Sequence, residues 1–458
     1  MSFVTDILGN RVSPMSPATL AGVNAFVGGF LAYETQAVDI LDAAKADPTS
    51  RLANAYAAVL YMLFEAQEGA ALAPLSLARA EAAPPGDARE QGLTAFLRAW
   101  IDDDIPQALR ISAEVVKAFP ADLVMVKLHQ YLAFNRGDFP AMLRIAELAL
   151  PASRHIPYIH GMLAFAYEQC HLLAEAEAAA RQALSMTARE PWAQHALAHV
   201  MLTQGRIDEG AAFMTQASRT WTSLNSFMDT HNWWHLALFL LSQGRFAQVV
   251  AVYDEHCWGR DHDYSQDQVG AVSLLARMEF AGIDVGARWN DVADHLETRA
   301  RDTLQPFLTL QYLYGLARAG RPQASALMSA IEARTAKTPP HARDAWFEAA
   351  LPAAEGIMAF ASGDHERAVR RMGAALPRMA EVGGSHAQRD FFEQIHLEAL
   401  LGAGRFPEAQ QVLEVRRGFD PDGVPLNLAL ARVYDALGLP RQSAQAADRA
   451  RRTQERHA

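Results

Sequence analysis

Four histidines carry the clearest chemical signal in this sequence. They form two pairs with a spacing of four residues, His195 with His199 and His231 with His235. Residues at positions i and i+4 lie on the same face of a helix, so each pair presents two imidazoles side by side. Imidazole is a ligand for zinc and iron, and its pKa of about 6.5 also lets it transfer protons at neutral pH. The spacing therefore indicates a metal site or an acid–base site.

Glu168 could complete either kind of site with a carboxylate. The HExxH arrangement, which places a general base between two histidines, is absent, and so is a GxSxG nucleophile motif. A single histidine is also more often a core residue hydrogen-bonded to a neighbouring helix than a catalyst. Whether the protein is an enzyme stays open. The cofactor is unknown, with a divalent metal, zinc or iron, as the candidate at the four histidines. No P-loop or dinucleotide fingerprint occurs, so no nucleotide cofactor is expected.

Two segments that read as copies of each other must position these histidines. One is PWAQHALAHVMLTQGR, which starts at Pro191, and the other is HNWWHLALFLLSQGRF, which starts at His231. Each reads as an apolar helix that ends at a Gly-Arg turn. Similar turns recur every 34 residues, which is the period of the tetratricopeptide repeat, at Asp103, Gly137, His171 and Gly205. The sequence therefore predicts stacked helical hairpins.

The pattern is most regular over residues 89–253 and continues more loosely on both sides. A hairpin of this kind cannot bury its apolar face alone, so neighbouring hairpins share one core. We therefore expect an all-α, right-handed α-solenoid of tetratricopeptide-like hairpins, about 11–12 helix pairs curled around a central groove. The whole chain, 1–458, is predicted to be a single domain. Irregular insertions are expected near 219–230, 254–268 and 380–389, and long connections in repeat arrays often serve binding.

Several segments resemble the tetratricopeptide repeat protein 38 family. They are GMLAFAYEQCHLLAEAEAAARQAL, WAQHALAHVMLTQGRIDEG, HNWWHLALFLLSQGRF, SLLARMEFAGIDVGARWNDVADH and GGSHAQRDFFEQIHLEALL. The resemblance spans most of the chain and is densest from about Pro157 to Tyr253. It implies an all-helical repeat fold and brings no settled activity with it.

In tetratricopeptide arrays of this type, fixed positions of the first helix of each hairpin face the inner groove. The expected wall consists of His, Trp, Tyr, Phe, Leu and Glu, which favours an apolar, aromatic site able to move protons. His386, Arg389 and Asp390 could add an anion clamp or an orienting carboxylate if their turn faces inward. The predicted ligand-binding residues are Tyr158, Phe165, Gln169, Trp192, Trp234, His386, Arg389 and Asp390.

Composition excludes several classes of partner and location. The net charge is −11, and basic residues are concentrated only in the tail, residues 441–456, so a nucleic-acid partner is not expected. No apolar run approaches the roughly 18 residues of a membrane span, and the N-terminus does not read as a secretory signal. Two cysteines, Cys170 and Cys257, are too few for a disulfide framework and indicate the cytoplasm.

These observations lead to one functional expectation and two alternatives. We expect a soluble binding protein that holds a small molecule or a short peptide in an aromatic, His-rich concave groove. The first alternative is an enzyme that uses the groove histidines and a carboxylate for acid–base or metal-assisted chemistry. The second is a scaffold for a protein partner. The sequence does not set the oligomeric state.

Overall fold

The computed structural model describes residues 4–458 and is almost entirely helical. Within that range there are 24 α-helices. The strands in the same range are β1, Val4–Thr5, and β2, Arg11–Val12, which pair antiparallel. No helix of residues 4–458 has both the length and the apolar character that a membrane span requires.

The chain divides into two compact units, and the first comprises Met1–Leu197 with Thr220–Met228. Consecutive helices of this unit pack against each other as hairpins, α1 with α2 through α9 with α10. A 3-10 helix, Thr35–Val38, follows α1. The helices are α1 (Pro17–Ala32), α2 (Asp39–Ala46), α3 (Arg51–Leu63), α4 (Gln67–Ala82), α5 (Ala88–Ile101), α6 (Ile105–Ala118), α7 (Leu123–Phe134), α8 (Phe139–Ser153), α9 (Pro157–Gln169), α10 (Leu173–Met186) and the beginning of α11 (Pro191–Thr203).

The second unit comprises Ala198–Arg219 with Asp229–Ala458. Hairpin packing is repeated here, from α15 with α16 to α23 with α24. The helices are the end of α11, α12 (Ile207–Ala217), most of α13 (Ser226–Ser242), α14 (Phe246–Val252), α15 (Ser265–Phe280), α16 (Arg288–Leu296), α17 (Pro306–Arg318), α18 (Gln323–Ala336), α19 (Leu351–Ala361), α20 (His365–Ala375), α21 (His386–Gly402), α22 (Phe406–Arg417), α23 (Val424–Ala436) and α24 (Pro440–His457). Shorter elements are the 3-10 helices Ser218–Thr220, Glu297–Arg299, Pro340–Ala342 and Leu376–Val382, and the π-helices Tyr253–Cys257 and Ala345–Ala350.

The turn between the two helices of a hairpin contains one residue with left-handed backbone conformation. Every turn residue of the 34-residue series has a positive φ: Asp103 (59°), Gly137 (70°), His171 (58°) and Gly205 (69°). The same holds at Gly244, Gly320, Gly363, Gly404 and Gly438. Glycine reaches this conformation without steric cost, which explains why it dominates at the turn.

Aspartates start several of the second helices. Asp104, Asp138 and Asp364 each follow a turn residue, and each side chain accepts a hydrogen bond from the backbone N–H three residues later. Such a cap satisfies a donor that the first helical turn leaves without a partner. A turn residue followed by a capping aspartate thus reverses the chain and begins the next helix.

The fold class predicted from the sequence is confirmed: the chain is an all-α helical-repeat protein built from tetratricopeptide-like hairpins. The prediction that 1–458 forms a single domain stays a prediction. The predicted irregular insertions overlap helices at their ends. Residues 226–230 already belong to α13, the segment 254–268 begins in a π-helix and ends in α15, and α21 begins at His386.

Candidate functional site

A continuous series of aromatic rings lies in the first unit. Phe134 packs on Phe165 at 5.5 Å between ring centroids, and Phe165 packs on Trp192 at 4.5 Å. Trp192 stacks on Tyr33 at 5.1 Å, and Tyr33 meets Phe227 at 5.9 Å. We call these five residues the aromatic row. Four of the rings are half-buried, and only Phe165 is closed off from solvent.

A buried lysine supports the centre of the row. The Lys127 ammonium nitrogen lies 3.3 Å from the centroid of the Tyr33 ring, and it donates to the backbone carbonyls of Phe30 and Leu31. These hydrogen bonds hold the Lys127 side chain against the face of the Tyr33 ring. Burial lowers the pKa of Lys127 well below its usual value, while the charge of Glu190 acts in the opposite direction.

Glu190 is fully buried at the start of α11, where its carboxylate accepts a hydrogen bond from the Ala193 N–H. Burial raises the pKa of Glu190 to about 8, although the Ala193 hydrogen bond and the charge of Lys127 act to lower it. Gly161 makes room for this carboxyl: a Cβ at Gly161 would lie 2.8 Å from both carboxylate oxygens.

Most of the side chains predicted to line an open groove are buried instead. Tyr158 and Trp192 are half-buried as expected for a groove wall. By contrast, a larger group is only 0–4 % exposed, namely Phe165, Glu168, Gln169, His195, His199, Trp234 and His235. The physical reason is that α9, α11 and α13 are apolar around most of their circumference, and a helix of that kind is covered on several sides. These seven side chains are therefore enclosed, and their place in a groove wall stays a prediction.

His195 and Glu168 belong to the first unit. The His195 ring stacks on Trp192 at 4.5 Å and contacts Phe165 at 5.2 Å, so it underlies the aromatic row. Glu168 accepts a hydrogen bond of 2.5 Å from the Gln169 side chain. His195 thus has an aromatic environment.

The other three predicted histidines meet in the second unit and form the histidine cluster (His199, His231 and His235). The His199 and His235 rings are 4.5 Å apart, and those of His231 and His235 are 4.8 Å apart. One nitrogen of each residue lies within 4.8 Å of the others. The Nε2 atoms of His231 and His235 are 3.3 Å apart. These three residues could hold a metal ion.

Two members of the cluster, His199 and His231, are uncharged at neutral pH. Burial lowers the pKa of His199 to about 3. The pKa of His231 is lowered to about 3 by burial and, to a smaller extent, by His199. Neutral imidazole is the form that binds metals and the form that accepts hydrogen bonds.

Trp234 and Arg277 pack around the cluster. The Trp234 ring stacks on His231 at 5.4 Å and meets His235 edge-on at 4.8 Å. The buried Arg277 guanidinium lies 5.3 Å from the Trp234 centroid and pairs with Asp390 at 3.5 Å. Asp390 also pairs with Arg416 at 2.5 Å. Burial acts to raise the pKa of Asp390, but the charges of Arg416 and Arg277 outweigh it and lower this pKa to about 2.

The remaining predicted residues lie in the first turns of α21, not in an irregular turn. The His386 ring meets His199 edge-on at 5.2 Å, and its Nε2 bonds the Thr203 hydroxyl at 3.0 Å. Arg389 donates to the Gly384 carbonyl, which closes the turn before the helix. Asp390 is engaged by two arginines, so the idea of a carboxylate that orients a ligand gives way to a structural role.

Sequence reasoning missed Tyr33, Phe227, Lys127, Glu190 and Arg277. Two of them gave a signal, because Lys127 and Arg277 are charged residues within otherwise apolar helical stretches, LVMVKLHQYLAF and AVSLLARM. A charged residue is rarely fully buried unless it is paired. Tyr33 ends α1 in a left-handed conformation, and no repeat pattern marked it.

The sequence matches no protein-family model. Among solved structures, a human IFIT1 dimer with PPP-AAAA is similar, at 12 % identity and a TM-score of 0.42, over 96 % of this chain and 95 % of that one. Naa15/Naa10 bound to HypK-THB shows 14 % identity and a TM-score of 0.25, over 95 % of this chain and 63 % of that one. Yeast Tom70 shows 12 % identity and a TM-score of 0.27, over 81 % of this chain and 95 % of that one. Function must therefore be inferred from the residues of this chain.

Proposed function

We propose that this helical-repeat protein binds a small molecule or a short peptide through a planar apolar group that stacks on the aromatic row of the first unit. The observation that carries the proposal is the partial exposure of stacked rings. Trp192, Tyr33 and Phe227 remain half-buried although they contact one another, and the half-buried Phe134 is linked to them through the buried Phe165. Contiguous exposed apolar surface on a folded protein commonly marks a binding site.

The arrangement suits a flat ligand. Trp192 and Tyr33 stack on each other with 29° between their planes, and both rings keep part of their surface accessible. A stacked aromatic pair contributes about 0.5–1.5 kcal/mol beyond the area it buries. The buried contacts of Trp192 with Phe165 and His195 fix the indole before any ligand arrives, which reduces the entropy lost on binding.

Ligand-observed saturation-transfer NMR tests the proposal with two probes, indole and a tripeptide that carries one tryptophan. Wild-type protein should transfer saturation to the aromatic protons of at least one probe, and the preferred probe distinguishes a small-molecule site from a peptide site. Trp192→Ala should weaken binding about 10-fold, which corresponds to the loss of one stacked ring. Tyr33→Ala should act in the same direction.

Phe347→Ala is the matched control, because Phe347 is an aromatic side chain that is 53 % exposed and lies outside the row. This variant should bind like wild type. The proposal is contradicted if neither probe binds, or if folded Trp192→Ala binds as tightly as wild type.

Two further expectations belong to this proposal. The helical hairpins over Pro157–Tyr253 support the similarity to the tetratricopeptide repeat protein 38 family. Free thiols at Cys170 and Cys257 support a cytoplasmic location. A scaffold for protein partners predicts instead that substitutions in the aromatic row leave binding intact. The Trp192→Ala and Tyr33→Ala variants also test this alternative. The enzymatic alternative depends on the histidine cluster.

A further inference from the structure

The histidine cluster has the composition of a transition-metal site. It consists of three imidazoles and no carboxylate or thiol, and all-imidazole sites suit zinc, copper, iron and nickel. His199 is on α11, whereas His231 and His235 are one turn apart on α13. His199 and His235 are 0 % exposed, and His231 is 9 % exposed. None of the three residues belongs to the aromatic row, so the cluster is independent of the proposed function.

One distance within the cluster fits a tetrahedral ion. With metal–nitrogen bonds of about 2.0–2.1 Å, two ligand atoms of a tetrahedral zinc ion lie roughly 3.4 Å apart. The Nε2 atoms of His231 and His235 are separated by 3.3 Å. The third nitrogen, from His199, lies within 4.8 Å of both, and the broad χ2 minimum of histidine allows its ring to rotate. Little rearrangement is needed to bring three ligands to one ion.

The surroundings hold the rings in this arrangement. Trp234 stacks on His231 and meets His235, and Arg277 lies over the Trp234 ring. His386 packs against His199 and is itself fixed by Thr203. Groups that orient metal ligands in this way raise affinity, because fewer conformations are lost when the ion binds.

We propose that His199, His231 and His235 bind one divalent transition-metal ion, such as zinc, in tetrahedral coordination. Three histidine ligands also hold the zinc ion in some catalytic zinc sites. His231 is the most exposed of the three, at 9 %.

The test uses the full-length protein after removal of metal with a chelator. Zn²⁺ is titrated against a chromophoric competitor, and Co²⁺ is added separately because tetrahedral Co²⁺ has intense visible absorption. One Zn²⁺ per chain should bind, and Co²⁺ should give the tetrahedral spectrum. His235→Gln and His199→Gln should each weaken Zn²⁺ binding by more than the roughly 10- to 100-fold that loss of an outer-shell group costs.

His256→Gln is the matched control. His256 is a half-buried histidine of the same unit that stacks on Trp233 at 3.7 Å, and its replacement should change affinity less than about 3-fold. Circular dichroism establishes that each variant is folded. If a cluster variant unfolds, the wild-type titration still decides: no stoichiometric binding, or an octahedral Co²⁺ spectrum, overturns the proposal. Equal binding by wild type and folded His235→Gln means an adventitious ion only and also overturns it.

Discussion

The aromatic row and the histidine cluster use ring side chains on helices of the same repeat type, but they differ in exposure. Four rings of the row are half-buried, whereas His199 and His235 are completely buried. An apolar ring that keeps a face toward solvent gains free energy when another flat group covers it. A buried imidazole leaves no face for such a group, but its ring nitrogens can bind an ion. The same scaffold thus presents one surface for molecules and one enclosed set of ligands.

The largest expected effect is a loss of stability in the region of the histidine cluster, with no change in the region of the aromatic row. Asp390→Ala leaves the buried Arg277 without its carboxylate, and breaking a buried ion pair costs about 3 kcal/mol or more. Hydrogen exchange measured by mass spectrometry should show faster exchange in α15 and α21, with α7 and α9 unchanged. Glu393→Ala is the control. Glu393 contacts the same Arg416 at 3.4 Å but is 59 % exposed, so its loss should cost less than about 1 kcal/mol. Equal effects of the two variants would contradict the role given to Arg277.

Zinc binding should stabilise the region of the histidine cluster and leave the aromatic row unchanged. At a free Zn²⁺ concentration about 100 times the dissociation constant, binding to the native state stabilises it by about 2.7 kcal/mol. Exchange in the part of α13 that carries His231 and His235 should slow, and exchange in α7 and α9, which carry Phe134 and Phe165, should stay the same. Slower exchange in α7 and α9 alone would place the ion in the wrong region.

An intermediate effect concerns pH and the first unit. The pKa of Glu190 is raised by burial from 4.5 to about 8. A group whose pKa is higher in the folded state contributes stability below its unfolded pKa, and this contribution is lost as pH rises through the folded value. Between pH 4.5 and about 8, the melting temperature of wild type should therefore fall relative to that of Glu190→Gln. Parallel melting curves for the two proteins across this range would contradict a protonated Glu190.

The smallest effect lies in the hairpin turns, outside both regions. Asp103 adopts a φ of 59°, which a residue with a Cβ reaches at a cost of roughly 1–2 kcal/mol. Asp103→Gly relieves this strain but increases the entropy of the unfolded chain, so the net gain should be about 0.5 kcal/mol. Gly137→Ala, at a φ of 70°, should destabilise the protein instead. Both changes are measured by denaturant unfolding, and binding of the indole and zinc probes should not change.

The fold was predictable from the sequence because the turns follow from a requirement on the backbone conformation. One residue of each hairpin must adopt a positive φ, so Gly137 and Gly205 mark the turns even where other positions vary. The 34-residue spacing ends at Gly205, because a longer connection precedes α13 and the next turn at Gly244, and a π-helix, Tyr253–Cys257, then follows α14. A π-helix holds one extra residue in a turn, which shifts every later side chain around the helix relative to a 34-residue register.

The candidate site was predictable only in part. Spacing along one helix placed His231 beside His235, since an i, i+4 relation is local. The partners from other elements were not predictable in this way, because Tyr33, Lys127 and Trp192 meet across large sequence separations. The repeat pattern also did not predict which side chains are exposed to solvent. Repeat register assigned His199 to a groove wall, whereas packing on several sides of α11 encloses it.

The close approach of Gly161 and Glu190 makes two distant positions depend on each other. Because a Cβ at 161 would lie 2.8 Å from both carboxylate oxygens, a larger residue there requires the end of the Glu190 side chain to move. If the glutamate is shortened first, this obstacle to alanine at 161 is gone. The effect of a substitution at either position therefore depends on the residue at the other.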